Sequence, residues 1–208
     1  SMEKRFPCLY FFPSFNKAAV GYIFCFLAII ISFWALKDKK IYYALLFHPY
    51  EVYRYKRWYT LFSAAFIHRS YTHLLVNCIF ILLFMSDIGS VLSYTFSPLH
   101  VTFLCLYLIS MLILIPHIFL VLSEKSNFIY TCVGSSGITY GLISFSLAYF
   151  PMNVIDSKLP FISYSYHIWI AFLIIMLLVG LLSRKRINSK LHLFAYMLGS
   201  LLAIGISP

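Results

Sequence analysis

Six apolar runs, each long enough or nearly long enough to cross a bilayer, follow one another along this chain. They cover Lys17 to Leu36, Leu61 to Met85, Leu99 to Leu122, Ser136 to Phe150, Ser163 to Leu182 and Leu191 to Ile206. A spanning helix needs roughly 20 such residues, slightly fewer where neighbouring helices shelter it. A chain that is 62% hydrophobic and 11% charged cannot bury its apolar residues in one core and still present a surface that water accepts. The expected architecture is an all-α membrane protein, with six transmembrane helices forming a single domain over residues 1–208. The first run is too long for a secretory signal and lacks the small-residue cleavage pattern, so it reads as a retained signal-anchor helix. Function is expected to sit in the bundle or in its loops.

The longest connection, Lys37 to about Thr60, joins the first two helices. It carries Lys37, Lys39, Lys40, Arg54, Lys56 and Arg57 among Tyr50, Tyr53, Tyr55, Trp58 and Tyr59. Aromatic and basic side chains together favour the headgroup layer, so an interfacial loop in contact with membrane lipids is expected. The positive charges flank membrane spans, where lipid headgroups account for them, and nucleic acid is not an expected partner. Cys8, Cys25, Cys78, Cys105 and Cys132 show no CxxC spacing and read as small core residues. No metal and no organic cofactor is indicated.

Polar residues inside apolar runs are costly and mark function. His73 and Asn77 stand near the start of the second helix, Ser136 starts the fourth, and His192 lies near the start of the sixth. Even-numbered helices of an up-and-down bundle run in the same direction, which brings these residues toward one membrane face. The apolar part of the fourth helix is only about 21 Å long against a hydrocarbon core of about 30 Å, so Ser136 starts below the surface and needs an aqueous pocket above it. His73 and Asn77 share a helix face, as do Ser136 and Tyr140. Below His192 runs a stripe of Ala195, Gly199 and Ala203, and Gly137 with Gly141 gives the fourth helix a small-residue surface of its own. Close approach of these two helices would bring the Ser136 hydroxyl within reach of the His192 ring.

The segment His68-Arg-Ser-Tyr-Thr-His73-Leu-Leu-Val-Asn77, the turn Gly134-Ser-Ser136-Gly137 with Tyr140 after it, and His192 with small residues behind it resemble the rhomboid intramembrane serine proteases. The likeness runs from the first helix to the last, with each motif at its proper helix start. It implies Ser136 as nucleophile and His192 as general base, with no acidic third member. It implies His73, Asn77 and the Ser136 backbone N–H as oxyanion donors. Tyr140 would pack on the His192 ring, and His68, Gly134, Gly137, Ala195 and Gly199 would support the site. Substrates would be single-pass transmembrane proteins, cut near a helix end where local unwinding frees a carbonyl from its i to i−4 hydrogen bond. The chain departs from the family at Thr60, where an arginine is common and Arg57 is the nearest, around Gly89 and Ser93, where a glutamate and glycine are common, and at Ala195, where a glycine is common.

Other chemistries fail on their own requirements. There is no HExxH, and Asp38, Asp87 and Asp156 fall in loops or at helix ends rather than as an intramembrane pair. Ile138 occupies the second glycine position of a GxSxG elbow. Ser135 is the rival nucleophile, while His48, His100, His117 and His167 find no motif partners and read as interfacial or structural. Two non-enzyme readings stand beside the protease: a catalytically inactive rhomboid-like protein that binds or escorts transmembrane segments, and a small transporter.

A multi-pass protein of a bacterial plasma (inner) membrane is expected. Twelve of the 16 lysines and arginines lie on the Ser136 face, which the positive-inside rule assigns to the cytoplasm. The family resemblance implies the opposite, an active site facing outward, and is the orientation adopted.

Overall fold

In the computed structural model, residues 15–155, 161–182 and 188–207 are described. Cys8 and Asp156 lie outside them. Among the described residues nine α-helices follow one another: α1 (Phe15–Lys37), α2 (Lys39–Leu45), α3 (Pro49–Tyr55), α4 (Thr60–Ser63), α5 (Tyr71–Leu92), α6 (Pro98–Glu124), α7 (Ser136–Tyr149), α8 (Ser165–Leu182) and α9 (Ser189–Ile206), with a 3-10 turn at Ala64–Phe66. Among the described residues, extended pairing is limited to two isolated bridges, Phe47 with Cys132 and Val154 with Tyr164.

Five of these helices, α1, α5, α6, α8 and α9, are long and apolar enough to cross a membrane. With α7 at 14 residues, about 21 Å, the fold is an all-α membrane bundle. A helix that short is at home only when neighbours enclose it. Almost all of α7 is buried, from Gly137 to Tyr149, against α9, α5, α6 and α8. By contrast α8 sits at the edge, with Ser165 its one buried residue. The outer faces carry Phe26, Trp34, Phe103, Leu122, Leu181 and Ile204, an apolar belt suited to lipid.

The second apolar run does not form one helix from Leu61. Its first residues make α4 and the 3-10 turn, Ile67 extends the chain, and Ser70 caps α5 by accepting from the His73 N–H at 3.1 Å. Each early N–H of a helix needs a partner, and a serine in extended backbone supplies one, so the helix starts at Tyr71. The same shift carries α5 on to Leu92, so Asp87 lies within it and not at a helix end, its carboxylate accepting from Ser146 on α7.

The loop between α1 and α5 is folded rather than extended. Asp38 caps α2 and His48 caps α3. Arg57 pairs with Glu51 and donates to the Tyr43 and Ala44 carbonyls at 2.9 and 2.6 Å, so it anchors the loop from three residues before Thr60. Tyr43, Tyr53, Tyr55, Trp58 and Tyr59 remain exposed.

Candidate active site

The site is built around the turn into α7. Gly134 adopts φ +107°, a left-handed conformation that disfavours any side chain, and a Cβ there would come within 2.7 Å of His73 Cε1. The Gly134 N–H donates to the Ala64 carbonyl at 2.8 Å, tying the turn to the 3-10 segment. Ser136 is the first residue of α7, half-buried, with its N–H among those a helix start leaves without an internal partner.

His192 comes from the first turn of α9, and its Nε2 stands 2.8 Å from Ser136 Oγ. Tyr140 stacks on the imidazole, ring centroids 4.4 Å apart and planes 26° from parallel. The helices meet through Gly199, whose missing side chain leaves room for the Gly141 carbonyl oxygen; a Cβ would overlap that oxygen. Gly137 differs from this pattern, because a Cβ there would find only ordinary contacts, 3.7 Å from Leu191 and 3.9 Å from buried Ala195. The close approach therefore rests on Gly199, while the missing side chain of Gly141 makes room for Leu112 of α6. Beside His192 a cavity of about 100 Å³ opens, lined by Tyr140, Phe172, Met176, Val179 and Ser189.

A second serine–histidine contact lies behind the first. His68 is fully buried, and its Nε2 is 3.0 Å from Ser135 Oγ and accepts from the Ser135 N–H at 3.2 Å. An imidazole nitrogen that accepts a backbone N–H carries no proton of its own, so the proton resides on Nδ1 and is donated to Ser32 Oγ at 2.9 Å. Ser32 in turn donates to the Phe66 carbonyl at 2.8 Å. Burial, with the charge of nearby His73 adding to it, pushes His68 from the ordinary 6.5 down to about 3. The folded protein thus keeps this ring neutral where an unfolded chain would protonate it. As pH falls from about 6.5 toward 3 the unfolded state gains the proton and stability declines, at up to about 1.4 kcal/mol per pH unit for one group. Thermal unfolding of the detergent-solubilised protein should show that decline, and His68→Gln should flatten it.

On α5, His73 is half-buried and stands edge-on to His68 with ring centroids 5.1 Å apart. Asn77 is 4% exposed; its Oδ1 accepts from Thr139, and its Nδ2 has no partner among the described residues. A buried donor without an acceptor is costly unless something else comes to fill it.

His68, His73, Asn77, Gly134, Ser136, Tyr140 and His192 fall in one matched segment: residues 55–208 fit the family model of the Rhomboid domain. The chain belongs to the rhomboid family. No curated protein matches it. The candidate residues His73, Asn77, Ser136, Tyr140 and His192 converge on one end of the bundle, and His48, His100, His117 and His167 stay apart from them. His48 accepts from the Glu51 N–H and contacts the Phe128 carbonyl, His100 pairs with Ser97, His117 bonds the Ile113 carbonyl, and His167 accepts from the Ser163 and Tyr164 N–H groups. Four residues around this rhomboid site escape sequence reasoning. Ser32 and Thr139 look like ordinary hydroxyls in apolar helices. Glu124 pairs with Lys190 across α6 and α9, and Tyr130 bonds Asn188 just ahead of α9; their partners are more than fifty residues distant, beyond any local spacing rule.

Proposed function

We propose that this rhomboid-family protein is an intramembrane serine protease that hydrolyses peptide bonds of single-pass transmembrane substrates through a Ser136–His192 dyad. The observation that carries the reading is the 2.8 Å contact between Ser136 Oγ and His192 Nε2 at the edge of a cavity. Ser136 Oγ attacks the scissile carbonyl carbon while His192 Nε2 takes the hydroxyl proton. The tetrahedral intermediate collapses as His192 delivers that proton to the leaving amine nitrogen, which leaves an acyl ester on Ser136. Water then attacks the ester carbonyl carbon as His192 takes its proton; the bond to Ser136 Oγ breaks, His192 returns the proton to that oxygen, and the carboxylic acid product departs. Negative charge on the carbonyl oxygen is met by the Ser136 backbone N–H, His73 and Asn77 Nδ2.

Ser135 and His68 are also within hydrogen-bond distance, but both are enclosed, at 1% and 0% exposure, and the His68 lone pair is already engaged by a backbone N–H. That pair holds the turn, whereas Ser136 is half-buried and its partner His192 lines the cavity. A fluorophosphonate probe on the purified protein, followed by peptide mapping, separates the possibilities. Label on Ser136 is expected. Label on Ser135 would move the chemistry to the other pair, and no label with retained binding of a transmembrane peptide would favour an escort that binds segments without cutting them.

Asn77→Ala should lower kcat by about 10²-fold with a much smaller change in KM, as expected for a donor used mainly in the transition state. Steady-state cleavage of a model substrate checks this. A large rise in KM at constant kcat would make Asn77 a docking residue instead. His73→Ala should be at least as damaging.

A further inference from the structure

Thr139 lies one helical turn beyond Ser136, with its hydroxyl between two acceptors. Asn77 Oδ1 on α5 is at 3.2 Å, and the Ser135 carbonyl of its own helix is at 3.4 Å. A threonine inside a helix ordinarily gives its proton to the carbonyl four residues back. One hydroxyl has one proton to give, and here the nearer acceptor belongs to another helix. Thr139 is 6% exposed, so no solvent competes for the bond.

We propose that Thr139 is a positioning residue for the oxyanion site: by holding Asn77 Oδ1 it fixes the amide so that Nδ2 faces the substrate carbonyl oxygen. This rests on the protease reading above. A carboxamide has two ends of nearly equal size and opposite polarity, and turning it by half a rotation would point an acceptor at a developing negative charge. Steric fit cannot tell the two orientations apart; a hydrogen bond to one end can. The Nδ2 donor has no partner among the described residues, so no bond to them competes with a carbonyl oxygen for it. Valine would fill the same volume as threonine without the hydroxyl, and would leave the amide free to turn.

Thr139→Val should lower kcat by about tenfold at unchanged KM, a part of the roughly 10²-fold that losing an oxyanion donor costs. Thr139→Ser, which keeps the hydroxyl, should recover most of the loss. In an Asn77→Ala background Thr139→Val should have no further effect, because the amide it orients is gone. The proposal is overturned if Thr139→Val leaves kcat intact, raises KM instead, or lowers kcat by the same factor in both backgrounds, which would make its role structural. Should the valine variant fail to purify as a monodisperse species, Thr139→Ala enters the same cycle with the same expectations. Failure of the protease reading shows differently: the parent itself would neither take fluorophosphonate at Ser136 nor turn over substrate, and the positioning role would fall with it.

Discussion

Purified Ser136→Ala and His192→Ala should each lose cleavage of a single-pass transmembrane substrate by about 10⁴-fold or more, while helix content and unfolding temperature stay near those of the parent. The serine hydroxyl is a weak nucleophile until a base takes its proton, and His192 Nε2 at 2.8 Å is the base in place. Either group alone is chemically idle, so the double variant should be hardly worse than either single one. Rates for the three variants, each checked by circular dichroism, decide the matter. Substantial activity in either single variant would exclude this dyad.

Gly199→Leu should abolish catalysis by a different route. A Cβ at this position already overlaps the Gly141 carbonyl oxygen, and backbone cannot step aside as a flexible side chain can. Overpacking of this kind typically costs about 1–3 kcal/mol, which a bundle can absorb by moving α9 away from α7. The dyad cannot absorb it, because a displacement of about 1 Å between base and nucleophile can cost roughly 10²-fold in rate. Fluorophosphonate labelling of Ser136 should therefore fall sharply in a variant that still purifies as a single species. Parental labelling and cleavage would mean that the Ser136–His192 contact does not depend on this close approach. Gly137→Ala is the matched control, since a methyl there meets only ordinary contacts and should leave the α7–α9 packing undisturbed.

The residues that the sequence itself brings forward are those whose presence in a membrane helix is expensive. His73, Asn77, Ser136 and His192 interrupt apolar runs, and their order and spacing along the helices place them on one face before any coordinates exist. The shortness of α7 was legible for the same reason, as a run too brief for the bilayer. Helix starts were less so. Leu61 to Ile67 is apolar enough to begin a span, and only the capping serine at position 70 marks where α5 starts. Asp87 was misplaced by the same error of register. Thr139, Ser32 and the Glu124–Lys190 pair carry no local signal, because the meaning of each lies in a partner on another helix. Gly137 and Gly141 look equivalent in sequence, yet a side chain at Gly137 would meet α9 at ordinary contact distances while one at Gly141 would collide with Leu112 of α6, which no spacing rule reveals.

The bond from His68 to Ser32 draws a boundary that motif content alone would place elsewhere. The family match opens at residue 55, and His73, Asn77, Ser136, Tyr140 and His192 all follow it. Ser32 lies on α1, ahead of that point, and it takes the proton that fixes which nitrogen of His68 receives the Ser135 N–H. A fragment trimmed to the matched segment would retain the site residues and lose the far end of the strut that holds their turn in place. The smallest segment that keeps the turn supported is thus set by a hydrogen-bond chain rather than by its motifs, and swaps that graft a foreign first helix onto this bundle need a hydroxyl at the level of Ser32 to keep the turn in register.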